Sequence, residues 1–301
     1  MTASSLPEPS SHVASAAEGE LAIVVLTHNR VHLLAKCVEK VLQRTSPATR
    51  EIVIWNNASP DGTASYLDSL DDPRISVVHS DRNIGQNAYA EAFAMTTAPF
   101  FIELDDDVVD APAEWDAMLL DAFKRLPSIG FLAADLEDDP HDEASHVRHH
   151  VRPHEYELVE ENGVRLLRGP AGGGCAITSR DLNDRVGGFR RKKGKVFWLE
   201  DEAYINDIAR IGFGSAVLAD LRVHHTGGPH YTKASREKVA YWKQYDRRRA
   251  RRATVKRALY RIPLIPRANT HFGWFQPPSR SDGRGTAIDP GDAHPTDPGG
   301  R

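Results

Sequence analysis

The chain has 301 residues, 40% of them hydrophobic and 27% charged, with a formal net charge of −4. That is the balance of an ordinary globular protein, and it excludes both a polycation built for nucleic acid and an acidic disordered chain. No apolar stretch approaches the roughly 20 residues that span a bilayer. Cys37 and Cys175 fit no metal or disulfide spacing, so a reducing, cytoplasmic setting is the expectation.

Residues 1–19 are rich in Ser, Ala, Pro and Glu, lack a signal-peptide core and read as a disordered lead-in. LAIVVLT (21–27) is a continuous apolar run, the pattern of a strand covered on both faces. After the polar break His28-Asn29-Arg30, Val31, Leu34, Val38, Val41 and Leu42 recur at helical spacing. EIVIW (51–55) is a second strand, closed by the turn-rich NNASPDGT. ISVVHS (75–80) is a third, QNAYAEAFAMTTA a short helix, and PFFIEL (99–104) a fourth strand. Pro112 stands where a helix would begin, with Trp115, Leu119 and Phe123 on one face. IGFLAA (129–134) is a fifth strand.

The tract after 135 is polar and carries histidines at 141, 146, 149, 150 and 154, a spacing that favours a surface loop over a zinc site. YELVEENGVRLL reads as a hairpin turning at Asn162-Gly163. GPAGGGCAIT is a glycine-rich approach to a short strand. DEAYINDIARIG is a helix with Tyr204, Ile208 and Ile211 on one side and Gly212 at its end. GSAVLADLRV is a last strand, followed by HHTGG. From 231 to 275 the chain is helical in period and strongly basic; from 276 it reads as a flexible tail.

Strands alternating with helices imply an α/β fold with a mostly parallel sheet, whose ligands sit beyond the carboxyl ends of the strands. His28-Asn29-Arg30, Asn56-Asn57 and Asp105-Asp106-Asp107 each follow a strand and should line that edge. In extended backbone, residues i and i+2 point the same way, so Asp105 and Asp107 can aim at one point while Asp106 turns elsewhere. Two convergent carboxylates suit a hard divalent cation. The turn after the first strand, THNR, has no glycine fingerprint for a dinucleotide, and the chain has no phosphate-cradling P-loop.

VVLTHNR, IWNNASPDGT, DRNIGQNAYAEAFAMTTAPFFIELDDDV, GGFRRKKGKVFWLEDEAYINDIARIGFG and VHHTGG come in the order, and at about the distances, of family 2 glycosyltransferases of GT-A fold. The chain resembles that family from about residue 20 to about 230. The triple-aspartate form and a late histidine are most similar to the galactofuranosyl- and rhamnosyltransferase-like branch. The resemblance implies a UDP-, dTDP- or GDP-linked sugar donor, Mn²⁺ or Mg²⁺ on its diphosphate, and inversion at the anomeric carbon. It also implies a carbohydrate, glycolipid or small-molecule acceptor and no nucleic acid.

Residue by residue, Thr27, Asn29 and Arg30 match the loop bordering base and phosphates. Asn56 stands where the family usually has an aspartate that accepts from uracil, so the base stays open. Arg82, Asn83 and Gly85 match the R-N-x-G loop under the nucleotide. Asp105 and Asp106 fall beside the ribose and diphosphate. Asp105, Asp107 and His225 match the metal ligands, with His224 a rival because HH leaves the register ambiguous by one. Asp201 occupies the position of the catalytic base, with Glu200 as second choice.

Other readings stand beside these. Asp201 could be a helix N-cap. Trp198 could floor a sugar or simply pack. The glycines at 172–174 could border the sugars or form a plain connection. The basic stretch could be a solvated helix face or contact anionic lipid or a phosphate-bearing acceptor, giving peripheral attachment at the inner membrane face. A sugar-phosphate nucleotidyltransferase would need a basic glycine-rich loop after the first strand, which THNRVHLL lacks. A non-catalytic nucleotide-sugar-binding module would have no use for the Glu200-Asp201 pair. The expected division is a lead-in at 1–19, a GT-A domain at 20–230, a basic helical extension at 231–275 and a tail at 276–301.

Overall fold

The computed structural model describes residues 19–138 and 156–226, together with 243–244, 247–248, 250–251 and 254–255. The chain divides into two compact units, 1–238 and 239–301. In the second, the described residues are helical. The histidine-rich tract at 141–154 and the aromatic residues of the basic stretch lie outside the described residues.

The first unit is built on β1 (Leu21–Thr27), α1 (Val31–Arg44), β2 (Thr49–Asn56), α2 (Thr63–Asp68), β3 (Ile75–His79), α3 (Asn87–Met95) and β4 (Phe100–Asp105). A short β5 (Val108–Asp110) follows the aspartates, then α4 (Trp115–Arg125) and β6 (Ile129–Asp138). The remainder is β7 (Glu157–Glu161), β8 (Val164–Arg168), β9 (Cys175–Ser179), α5 (Arg180–Val186), α6 (Glu200–Arg210) and β10 (Gly214–His225). One sheet runs β3-β2-β1-β4-β9-β6-β10-β8-β7, with β5 on β10. β1–β4, β6, β7 and β10 point one way; β5, β8 and β9 point the other. The mixed α/β architecture expected from the alternating elements is therefore present, with antiparallel β9 wedged between β4 and β6.

Strand alternation sorts the core into two layers. Ile23, Val25, Ile52, Ile54, Ile102 and Leu104 face the side covered by α1 and α4. Ala22, Val24, Val53 and Phe101 face the side covered by α3 and α6. There Phe93 stacks on Phe101 at 4.5 Å between centroids, and Phe189 on Tyr204 at 4.2 Å. Both cysteines are free and buried.

Local detail departs from the sequence reading in few places. α4 begins at Trp115, not beside Pro112, because Glu114 takes a left-handed φ of 57°. In α6, Tyr204 and Ile208 are fully buried, but Ile211 lies past the last helical residue and is 37% exposed. Gly212, at φ 92°, ends that helix. The β7–β8 turn has Asn162 at φ 51° and Gly163 at φ 73°, a two-residue turn whose twist suits a hairpin. Among the described residues no helix is long and apolar enough to cross a membrane.

Candidate active site at the carboxyl edge of the sheet

Asp105 closes β4, and the chain turns at once through Asp106 and Asp107 into β5. β5 pairs with the end of β10, setting Val108 opposite His225 and Asp110 opposite His224. Thr226 fastens the turn by donating its backbone N–H (2.9 Å) and hydroxyl (3.0 Å) to the Asp107 carbonyl. This pairing is the reason a histidine more than a hundred residues away meets the aspartates. His225 Nε2 lies 3.1 Å from Asp107 Oδ1 and 3.7 Å from Asp105 Oδ2. Asp105, Asp107 and His225 each offer one ligand atom, all within 4.8 Å of one another. His225, 1% exposed, reaches the aspartates, and His224 is not in that group.

The guanidinium of Arg30, from the loop after β1, is also at the site. It bonds Asp106 Oδ1 and, at 2.9 Å, Asp107 Oδ2. Asp106 therefore does turn away from the other two, but into the protein, where it is wholly buried. Burial pushes the Asp106 carboxyl up to about 7, against the pull of Arg30. Burial would raise Asp107 as well, but His225 and Arg30 overcome it and hold Asp107 well below the usual carboxylate range. Two carboxylates and an imidazole form a donor set that suits a hard to borderline cation such as Mn²⁺ or Mg²⁺.

The glycine run 172–174 passes beside three carboxylates in turn. A Cβ on Gly172 would lie 3.6 Å from Asp201 Oδ2, one on Gly173 2.6 Å from the Glu103 Cδ, and one on Gly174 3.5 Å from Asp105 Oδ2. At 173 a side chain has no room, so glycine is required there for close approach. The Gly173 N–H donates to Asp201 Oδ2 at 3.0 Å, and the Glu202 N–H donates to Asp201 Oδ1 at 2.7 Å. Asp201 is therefore not the helix cap: Leu199 holds that position, and Asp201 sits in the first turn of α6. The helix N-terminus favours its ionised form. Glu200 is buried, and that burial, with the charges of Asp201 and Glu103, pushes its carboxyl well above the usual range.

On the nucleotide side expected from the sequence, the loops after β1, β2 and β3 interlock. Thr27 is buried at the end of β1, and its carbonyl accepts from the Asn57 N–H at 2.9 Å. Asn29 is exposed at φ 55°, and its N–H donates to Ser59 Oγ. Asn56 is engaged at both ends of its amide, with Ser59 N at 3.0 Å and His79 Nδ1 at 3.0 Å. Asn57 bonds the Ile84 N–H and the Gly85 carbonyl, fixing the R-N-x-G loop. Within that loop Asn83 accepts from the Gly85 N–H at 2.8 Å, while Arg82 is exposed. Trp198 does not floor an open sugar site: it is 1% exposed, with Lys192 Nζ 4.1 Å from its ring centroid.

Two residues with a place in this site escape motif reading. Tyr89 of α3 donates its hydroxyl to Asp105 Oδ1 at 3.2 Å. Glu103 is 3% exposed. Period-two parity puts Glu103 on one face with Phe101 and Asp105, and β4 is buried on both faces. Burial, with the charges of Asp201 and Asp105, pushes its carboxyl well above the usual range.

Comparison with known proteins agrees with this geometry. No curated protein matches the chain in sequence. Among solved structures, the mannosyltransferase PcManGT from Pyrobaculum calidifontis, in complex with GDP-Man and Mn²⁺, is similar at 21% identity and a TM-score of 0.51, over 78% of this chain and 61% of that one. GalNAc-T7 with UDP, GalNAc and Mn²⁺ is similar at 17% identity and a TM-score of 0.52, over 70% and 44%. TarS from S. aureus is similar at 15% identity and a TM-score of 0.53, over 69% and 36%. At these identities the likeness is one of fold, and the chain spans less than two thirds of each of these proteins. The family model "Glycosyl transferase family 2" matches residues 22–187, from the start of β1 through α5 and so across the acidic turn and the glycine run. The chain belongs to glycosyl transferase family 2.

Proposed function

We propose that this chain is a metal-dependent, inverting glycosyltransferase that moves a sugar from a nucleotide-diphosphate sugar to an acceptor hydroxyl. The observation that carries the reading is the convergence of Asp105, Asp107 and His225 at the sheet edge, with Asp201 on the same glycine run. GDP-Man with Mn²⁺ in PcManGT, and UDP and GalNAc with Mn²⁺ in GalNAc-T7, support the donor class and the metal.

In this reading Asp105, Asp107 and His225 hold the cation. When bound, a Mn²⁺ or Mg²⁺ ion offsets the negative charge that builds on the leaving diphosphate. Thr27, Asn29, Arg30, Asn56, Arg82, Asn83 and Gly85 border the nucleotide, and Asp106 anchors Arg30 beside it. Asp201 takes the proton of the acceptor hydroxyl as that oxygen attacks the anomeric carbon. The bond to the diphosphate breaks, and its electron pair leaves on the diphosphate oxygen. A one-step displacement of this kind inverts the anomeric carbon. Glu200, buried beneath the first turn of α6, is placed to support Asp201 and is the weaker candidate for the base. The triple aspartate with a late histidine supports kinship with the galactofuranosyl- and rhamnosyltransferase-like branch. Cytoplasmic residence rests on the two unpaired cysteines, and peripheral contact with anionic lipid on the charge of 231–275.

The test is a thermal-shift and product-release screen of UDP-, dTDP- and GDP-sugars with and without Mn²⁺. The expected result is a shift that needs both nucleotide and metal, with release of the matching nucleoside diphosphate. No shift from any nucleotide in either Mn²⁺ or Mg²⁺ would sink the reading.

A further inference from the structure

Glu103 stands apart from every other carboxylate at the edge of the sheet. It sits mid-strand in β4, in the inward row with Phe101 and Asp105, over the aromatic core layer. It is 3% exposed, and its Oε2 finds no hydrogen-bond partner in the described protein. An unpartnered buried carboxyl costs more than almost any apolar replacement would. Gly173 packs directly against it: a Cβ there would lie 2.6 Å from its Cδ.

Its position along the glycine run gives the cost a purpose. Gly174 marks Asp105, a candidate metal ligand; Gly172 marks Asp201, the candidate base; Gly173, between them, marks Glu103. In any displacement, the sugar being moved must lie between the diphosphate held at one end and the acceptor hydroxyl held at the other. We propose that Glu103 is a specificity-determining residue that accepts hydrogen bonds from hydroxyl groups of the transferred sugar. The inference rests on the glycosyltransferase reading above and deepens it. It also names a substrate class. With Glu103, Glu200, Asp105 and Asp201 gathered there, the transferred sugar is neutral and hydroxylated, since a uronic acid would set a further carboxylate against them.

Isothermal titration with Mn²⁺ tests this. The probes are UDP, dTDP and GDP, each beside its neutral sugar conjugates, with UDP-glucuronate as the acidic control. The proteins are the full chain, Glu103→Met and Glu103→Gln. The conjugate that binds wild type best should bind Glu103→Met about 5- to 50-fold more weakly, the usual cost of losing one or two hydrogen bonds. The parent nucleoside diphosphate should bind all three proteins within about twofold. Unliganded Glu103→Met should melt about 2 °C or more above wild type, because an unpartnered buried carboxyl has been replaced by an apolar chain. Unchanged affinity for the conjugate in Glu103→Met overturns the proposal, as does equal loss of conjugate and parent nucleotide. A lowered Tm in both variants marks a structural role and overturns it too, and so does tight binding of UDP-glucuronate to wild type. If wild type binds no nucleotide at all, the glycosyltransferase reading itself fails, a result distinct from these.

Discussion

Asp106 and Asp107 are buried against a guanidinium and an imidazole, while Glu103 and Glu200 are buried against Asp201 and each other. The two groups share one sheet edge and are separated by little more than a glycine run. The first is a network around Arg30 and His225, in which Asp107 is held well below the usual carboxylate range while burial raises Asp106 to about 7. In the second, burial and neighbouring charge both resist ionisation, and Asp201 is steadied through the backbone amides of Gly173 and Glu202. The lesson is that acidic residues in one site can be kept for opposite purposes. Asp107 is compensated and stays charged; Glu103 and Glu200 bear the cost of burial beside like charge.

Removing the first set should produce the largest effect. Asp107→Ala is expected to lower transfer about 10³-fold or more and to abolish the Mn²⁺-dependent thermal shift, because metal assistance is worth several kcal/mol. Near-wild-type turnover in that variant would merge the two groups into a single structural cluster. Asp201→Asn tests the second set. Turnover should drop about 10²- to 10³-fold while nucleotide binding with Mn²⁺ stays intact, the separation expected of a general base. Loss of both together would move Asp201 into the binding group.

Asp116 provides a contrast outside the site. It is fully buried in α4 and accepts from Ser46 N–H (2.8 Å), Ser46 Oγ (2.9 Å) and Thr49 Oγ1 (2.6 Å). Asp116→Ala should cost about 2–4 kcal/mol in urea unfolding and leave the metal-dependent shift of the surviving folded protein unaltered. The smallest effect belongs to Glu200. A carboxyl whose folded pKa lies above its unfolded value of 4.5 binds more protons in the native state, so stability falls as pH rises past that value. Glu200→Gln removes that fall. Its Tm should match wild type near pH 4 and exceed it by about 2 °C at pH 8. An equal Tm at both pH values would show that Glu200 is not held in the costly state assigned to it.

Much of the fold was legible because buried strands and amphipathic helices write their periods into the chain. LAIVVLT, EIVIW and PFFIEL are apolar on both faces, and Trp115, Leu119 and Phe123 fall on one side of α4 as their spacing requires. β5 escaped because three residues carry no period, yet it is the pairing that brings His225 to Asp107. The metal candidates were readable as residue types in an ordered series of motifs. Their meeting was not, since it depends on the register between β5 and β10. Glu103 carries no motif of its own, and parity gives its neighbours but not its burial, since both faces of β4 are covered. Trp198 stayed open between two readings, because composition cannot tell an aromatic wall from an aromatic filling; its burial decides for packing.

Gly85 has a reach beyond its own loop. At φ 58° it packs so closely on Val196 that a Cβ would overlap the carbonyl there, and the Gln86 N–H donates to that same oxygen at 3.1 Å. The Asn87 amide adds a bond to the Lys195 carbonyl at 2.8 Å. Four residues past Val196, α6 begins with Glu200 and Asp201. In the proposed reading the nucleotide loop and the base share one anchorage, so the ground on which the nucleotide would rest would also aim the proton acceptor. A side chain at position 85 would blunt turnover by shifting that aim, with every reactive group still present.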